Sequence, residues 1–140
     1  MNQNLIFLPL FLQVLLTFLV GFRLMFVRLR EIRHRRIRPE ELRTRVEAAT
    51  RFEESRSAAD NFQNLFEFPV LFYVLVIVAH LTGSASWLLL ILSLGFVAAR
   101  AAHSIIHVGY NNVMHRFSAF VVSMGLLLAG WVVLAVRVWF

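Results

Sequence analysis

At 140 residues the chain can form one domain, but 59% of it is apolar and its mean hydropathy is +0.72, well above a soluble domain's roughly 45 to 50% apolar content. A water-soluble fold is therefore excluded. The formal charge of +6 would suggest nucleic acid in a soluble protein, yet ten of the fourteen basic residues, every one an arginine, crowd between two apolar runs and so report membrane topology. With no cysteine the chain has no disulfide, no thiolate metal site and no thiol nucleophile, so any sulfur chemistry must use a substrate's thiol.

The first predicted span covers residues 5–28, where a nearly unbroken apolar run is long enough, at about 1.5 Å per residue, to cross a hydrocarbon core of roughly 30 Å. Its uncharged MNQN start and its length argue against a cleaved signal peptide. Gln13, Thr17 and Gly21 recur every four residues along it, a small and polar stripe suited to close helix contact. Residues 29–57 read as a charged connection. From Arg28 to Arg56, arginines outnumber glutamates ten to six, so this loop is expected on the cytoplasmic side, with both termini outside. Pro39 followed by Glu40 and Glu41 predicts the first turn of a short surface helix.

The second span is predicted over 58–80. Its polar start carries Asp60, Asn64 and Glu67 on one face, and Pro69 removes a backbone donor and frees a carbonyl one turn earlier. Asp60 suits a helix cap; Glu67 lies too far inside for that. LTGSAS is a turn on the far side. The third span is predicted over 86–110 and the fourth over 116–139, where Gly125 and Gly130 would permit close packing and Arg137 and Trp139 would anchor an interface. The fold class is all-α, a four-helix membrane bundle in a single domain over 1–140.

The stretch RAAHSIIHVGYNNVMHR holds the functional signal. Arg100, His103, His107 and Tyr110 fall at i, i+3, i+7 and i+10 and share one helical face. A single arginine or histidine at the edge of an apolar helix is ordinarily a snorkelling anchor. A cluster is different, because each ionisable group at a helix centre costs roughly 2.5 to 3.5 kcal/mol on insertion scales and needs partners or a task. The topology puts the polar start of span two, the polar end of span three and Arg116 in one leaflet.

His103 and His107, at i and i+4, could ligate a metal with Glu67, but the neighbouring Arg100 and Arg116 oppose a cation, and no metal is expected. Neither a phosphate loop nor a nucleophile elbow is present. The groups suit an anionic substrate bearing a thiol. Arginine forks hold carboxylates and stabilise a thiolate, Glu67 can accept from an ammonium group, and a hydrophobic co-substrate can enter from lipid.

Asn64-x-x-Glu67 followed by Pro69, and Arg100-x-x-His103 with Arg116 sixteen residues after Arg100, resemble the membrane-associated proteins in eicosanoid and glutathione metabolism, the MAPEG family. Val27-Arg28-Leu29-Arg30 and Pro39-Glu40-Glu41-Leu42 resemble its prostaglandin E synthase branch. The resemblance covers most of the chain. It implies a homotrimer with glutathione as co-substrate between subunits near the cytoplasmic side, Arg116 beside the thiolate, Glu67 at the amino group, and Arg28, Asn64, Arg100, His103 and His107 around the peptide. The implied activity is that of a transferase or peroxidase acting on hydrophobic electrophiles or lipid hydroperoxides in a bacterial inner membrane, with lipid as a neighbour and no nucleic acid partner. Relatives that bind glutathione usually carry arginine where this chain has Asp60, and often tyrosine where it has His107 and Phe120. The alternatives are a non-catalytic membrane protein that binds a lipid headgroup or other amphiphile, and a proton relay through Glu67, His103 and His107.

Overall fold

Apolar runs of this length cannot leave their backbone polar groups unpaired in lipid, and the chain solves this with helices. The structure, a computed structural model, describes the backbone of residues 1–140 and every side chain except those of Pro39, Arg45, Glu47 and Ala49. A 3₁₀ turn, Gln3–Ile6, leads into α1 (Phe7–Arg35); a second 3₁₀ turn, Pro39–Leu42, precedes α2 (Arg45–Arg51). Then follow α3 (Arg56–Asn64), α4 (Phe68–Leu81), α5 (Trp87–Val108) and α6 (Val113–Trp139). Four segments are long and apolar enough to cross a membrane: Gln3–Arg35, Arg56–Leu81, Trp87–Val108 and Val113–Trp139. The fold is thus an all-helical, four-span bundle.

Several boundaries differ from those expected, including the start of the last helix, which begins at Val113 rather than near residue 116. The first helix continues past residue 28 to Arg35, since nothing in LREIRHR breaks a helix. It stops where Arg36 adopts a left-handed φ of 50°, and the N–H groups of Arg36 and Ile37 both return to the Ile32 carbonyl. The connection 29–57 is accordingly half helical. The second span is broken in the middle: Leu65 and Phe66 donate to the carbonyls of Phe62 and Gln63, three residues back, and Glu67 takes φ −93° and ψ −97° before α4 begins. Pro69 is the cause. It offers no N–H to the Leu65 carbonyl, and its ring collides with that carbonyl in a continuous helix. Finally, α5 ends at Val108 rather than near residue 110, with Gly109 following it.

The α5–α6 hairpin forms the best-packed part of the bundle, and α4 closes over it. Phe72 stacks on Phe96 with ring centroids 4.6 Å apart, and Leu75, Val76, Leu89, Leu127 and Leu134 complete the core. Gly130 lies buried there because a Cβ would sit 3.2 Å from Leu75 Cδ1. Gly125, expected to serve likewise, faces open space. On α1, Gln13 is fully buried and Phe62 approaches Gly21 closely, so the small stripe does pack inward.

At the end opposite the basic connection, the Gln3 side chain closes a reciprocal pair with the backbone of Ala85, at 3.4 Å from Nε2 to the carbonyl and 3.1 Å from the Ala85 N–H to Oε1. Ser86 caps α5 by accepting from the Leu89 N–H at 3.2 Å. At the basic end, Glu31 of α1 has a fully buried carboxylate. Its Oε1 accepts the N–H groups of Glu53 and Glu54 at 2.8 and 3.0 Å, and its Oε2 accepts that of Ser55 at 3.0 Å. One residue of α1 thereby sets where α3 starts.

Candidate functional site

The break in the second span creates the first element of the site. In an unbroken helix the Asn64 carbonyl would accept from the N–H four residues on. Here it accepts instead from Arg100 Nη2 at 2.6 Å, so a guanidinium from α5 caps the negative end of α3. Arg100 is fully buried, its Cζ lies 6.0 Å from the Phe120 ring centroid, and its Nε and Nη1 have no partner among the described residues. Phe120 in turn meets Phe68 edge-on at 5.3 Å, which walls the guanidinium off from the apolar core.

One turn further along α5, His103 Nδ1 lies 3.0 Å from the backbone carbonyl of Arg116, which ties α5 to the first turn of α6. His107 stacks on His103 with centroids 5.7 Å apart and planes at 13°. Its backbone carbonyl accepts from Ser57 Oγ at 2.7 Å. Between them Ser104 Oγ donates to Asn61 Oδ1 at 3.1 Å, and both residues are buried. The predicted stripe is therefore real for Arg100, His103 and His107. Tyr110 leaves it, because α5 has already ended; it is exposed, with its hydroxyl 3.0 Å from His115 Nδ1.

Arg116 is half-buried, donates from Nη1 to Asn111 Oδ1 at 3.0 Å, and borders a cleft of about 240 Å³ with His107, Ser57, Asp60, Arg56 and Glu53. Arg28 stands in a neighbouring cleft of about 670 Å³, its Cζ 5.1 Å from the Phe52 ring centroid. Arg56 and Asp60 line both clefts and join them. Glu53 at the rim is paired with Arg35 Nη2 at 2.7 Å, a hydrogen bond that holds its carboxyl below the usual carboxylate range.

The chain thus brings Asn64, Arg100, His103, His107 and Arg116 together, with Asn64 contributing its backbone carbonyl. Arg28 lies one cleft away. Glu67 sits exposed at the break and makes no ion pair within 4.0 Å among the described residues, so it does not reach Arg100. Ser57, Asn61, Ser104 and Glu31 belong to the site's framework and were not expected from the sequence. Asn61 and Ser104 are 43 residues apart, and only their helical phases bring them opposite each other. Among the described residues no three His, Asp or Glu side chains converge as a metal ion would require.

These features combine a buried guanidinium, imidazoles with free nitrogens and an open, charged cleft at one end of a membrane bundle. Such a site can hold an anion and move a proton. The model of the MAPEG family matches residues 6–136, nearly the whole chain. No curated protein and no solved structure matches the chain.

Proposed function

The chain belongs to the MAPEG family, membrane proteins of glutathione and eicosanoid metabolism, and from that premise we propose that it binds glutathione and uses it against hydrophobic electrophiles or lipid hydroperoxides. The observation that carries this reading is Arg116. Arg116 begins a span and borders the 240 Å³ cleft together with Arg56, Ser57, Asn111 and His107. In the proposed mechanism the forked donors of Arg116 lower the cost of the thiolate, and Arg28 and Arg100 draw the carboxylates. Asn64, His103 and His107 border the peptide. The electrophile arrives from lipid, and the thiolate attacks it.

A homotrimer is part of this proposal. Glu67 is exposed and Arg28 lies one cleft from Arg100, so a neighbouring subunit is needed to bring all the expected groups around one peptide, with Glu67 at the amino group. The proposed setting is a bacterial inner membrane with the basic end in the cytoplasm, since arginine-rich connections are retained inside. Cysteine labelling at position 45 and at Thr82 should then report opposite sides.

A second reading has its own observation. Asp60 lines the same cleft as Arg116, and a carboxylate beside a guanidinium suits a zwitterionic lipid headgroup as well as a peptide. On that reading the protein binds an amphiphile and has no activity. Calorimetry of glutathione on the purified protein, followed by the ultraviolet absorbance of the thiolate, decides between them. The glutathione reading expects binding and a thiolate band near neutral pH. No heat at millimolar glutathione, an affinity of roughly 4 kcal/mol, refutes it.

A further inference from the structure

Two imidazoles a turn apart share the buried stripe, and their places relative to the cleft give them different work. A carbonyl oxygen can only accept, so the 3.0 Å contact to the Arg116 carbonyl assigns the ring proton of His103 to Nδ1 and locks that ring onto the start of α6. His103 positions Arg116. His107 is stacked against it and 98% buried; each ring keeps one nitrogen without a partner among the described residues, Nε2 of His103 and Nδ1 of His107, but of the two only His107 borders the cleft that Arg116 also lines.

We propose that His107 is the proton acceptor of this site, taking the thiol proton of bound glutathione while Arg116 holds the thiolate that remains. The proposal rests on the glutathione reading above and goes beyond it by giving the proton a destination. A guanidinium can stabilise a thiolate but cannot accept a proton, so the chemistry needs a second group within reach of the sulfur.

The surroundings of His107 suit that task. From α5 it faces His103; from α6 and the turn before it, Arg116 and Asn111; from α3, Arg56, Ser57 and Asp60; and from the turn before α3, Glu53. Arg116 and Arg56 attract the sulfur anion. The Asp60 and Glu53 carboxylates lie in the same cleft to offset the imidazolium once the proton has arrived. The step balances: the S–H bond breaks as an N–H bond forms, and a sulfur lone pair then makes the C–S bond. With chlorodinitrobenzene as the electrophile, chloride leaves with the C–Cl pair, and the imidazolium returns its proton to water in the cleft.

The test uses the full-length purified protein, glutathione and chlorodinitrobenzene, with His107→Asn and the bulkier His107→Tyr. Both variants should bind glutathione within about threefold of wild type while turnover near pH 7 falls about a hundredfold, the scale of a lost general base. The deficit should shrink as pH rises toward the thiol's own range, and the midpoint of the thiolate absorbance should move upward. In a third variant, His107→Ala, which leaves room for a free ring, imidazole added to the buffer should restore part of the rate, which a merely structural role would not permit. A variant that binds glutathione and keeps the wild-type pH profile and thiolate midpoint overturns the assignment. So does one that loses glutathione binding, which would make His107 a binding residue. Absence of glutathione binding to wild type, measured first, overturns the underlying reading and the proposal with it.

Discussion

The Glu31 carboxylate makes the sharpest quantitative case in the molecule. It accepts three backbone N–H groups, from Glu53, Glu54 and Ser55, at 2.8 to 3.0 Å, and is fully buried. In Glu31→Gln one oxygen survives and an NH₂ replaces the other, so at least one of these amides faces a donor. The loss is one hydrogen bond to a charged acceptor, about 1.5–3 kcal/mol, and a negative charge at the start of α3, about 0.3–1 kcal/mol, together roughly 2–4 kcal/mol. At about 1.4 kcal/mol per tenfold, this predicts amide hydrogen exchange about 30- to 1,000-fold faster at residues 53–55 if they open locally. Helices α5 and α6 touch none of these groups and should keep their protection. Exchange at 53–55 within about threefold of wild type would refute the latch. Equal acceleration across all helices would show that Glu31 supports the whole bundle instead.

Three further outcomes are expected. Arg116→Ala should abolish conjugation of chlorodinitrobenzene and the thiolate absorbance while weakening glutathione binding only modestly, whereas Glu67→Gln should weaken binding more than turnover, both read from kcat, KM and calorimetry. Arg100→Met should leave the unfolding midpoint in detergent unchanged or raise it, because the buried guanidinium has one hydrogen bond and two unpartnered nitrogens; a fall of several degrees would show that the cation stabilises the fold. Because Arg35 holds the Glu53 carboxyl below its ordinary range, the stability of that pair is present above the ordinary carboxylate range and is lost as pH falls through the lowered folded value. Exchange at residues 53–55, corrected for its intrinsic rate, should be flat from about pH 5 to 8 and rise only below about pH 4, and Glu53→Gln should shift that limb without removing it, because the Glu31 carboxylate that holds these amides titrates as well.

The spans were legible because each is a run of apolar residues set off by charge, and the Arg100, His103 and His107 stripe was legible because polar side chains at helical spacing stand out in such a run. What escaped was whatever depends on a backbone partner. Glu31 is one glutamate among many arginines, and its partners are amides that carry no side-chain signature. Arg23, hidden in the first apolar run, reaches the Val108 carbonyl at the end of α5 at 3.3 Å, another partner that hydropathy cannot display. Pro69 announced a freed carbonyl, but only the packing of α5 on α3 shows that Arg100 takes the Asn64 carbonyl next to it. Helix α1 ran past its predicted end for a related reason. Solvated arginines end the apolar signal at residue 28, whereas the helix itself ends only at the left-handed Arg36.

Buried polar atoms without a partner among the described residues occur along the bundle, Gln13, His80 and Ser93 included, and those at the basic end stand nearest the charged groups. Away from the basic connection, Gln3 pairs both polar atoms with Ala85 and Ser86 caps α5, so these contacts close on themselves. At the basic end Arg100 Nε and Nη1, Asn61 Nδ2, His103 Nε2 and His107 Nδ1 are all buried without a partner among the described residues. Burying such atoms costs stability, about 1–3 kcal/mol each and more for a charged group, and here no contact within the chain repays it. A sequence selected only for packing would replace them with apolar residues of similar volume. At the basic end they stand on the same helices as the charged cleft that His107 and Arg116 line, where a solute with both an acid to hold and a proton to give would use a guanidinium and the free imidazole together.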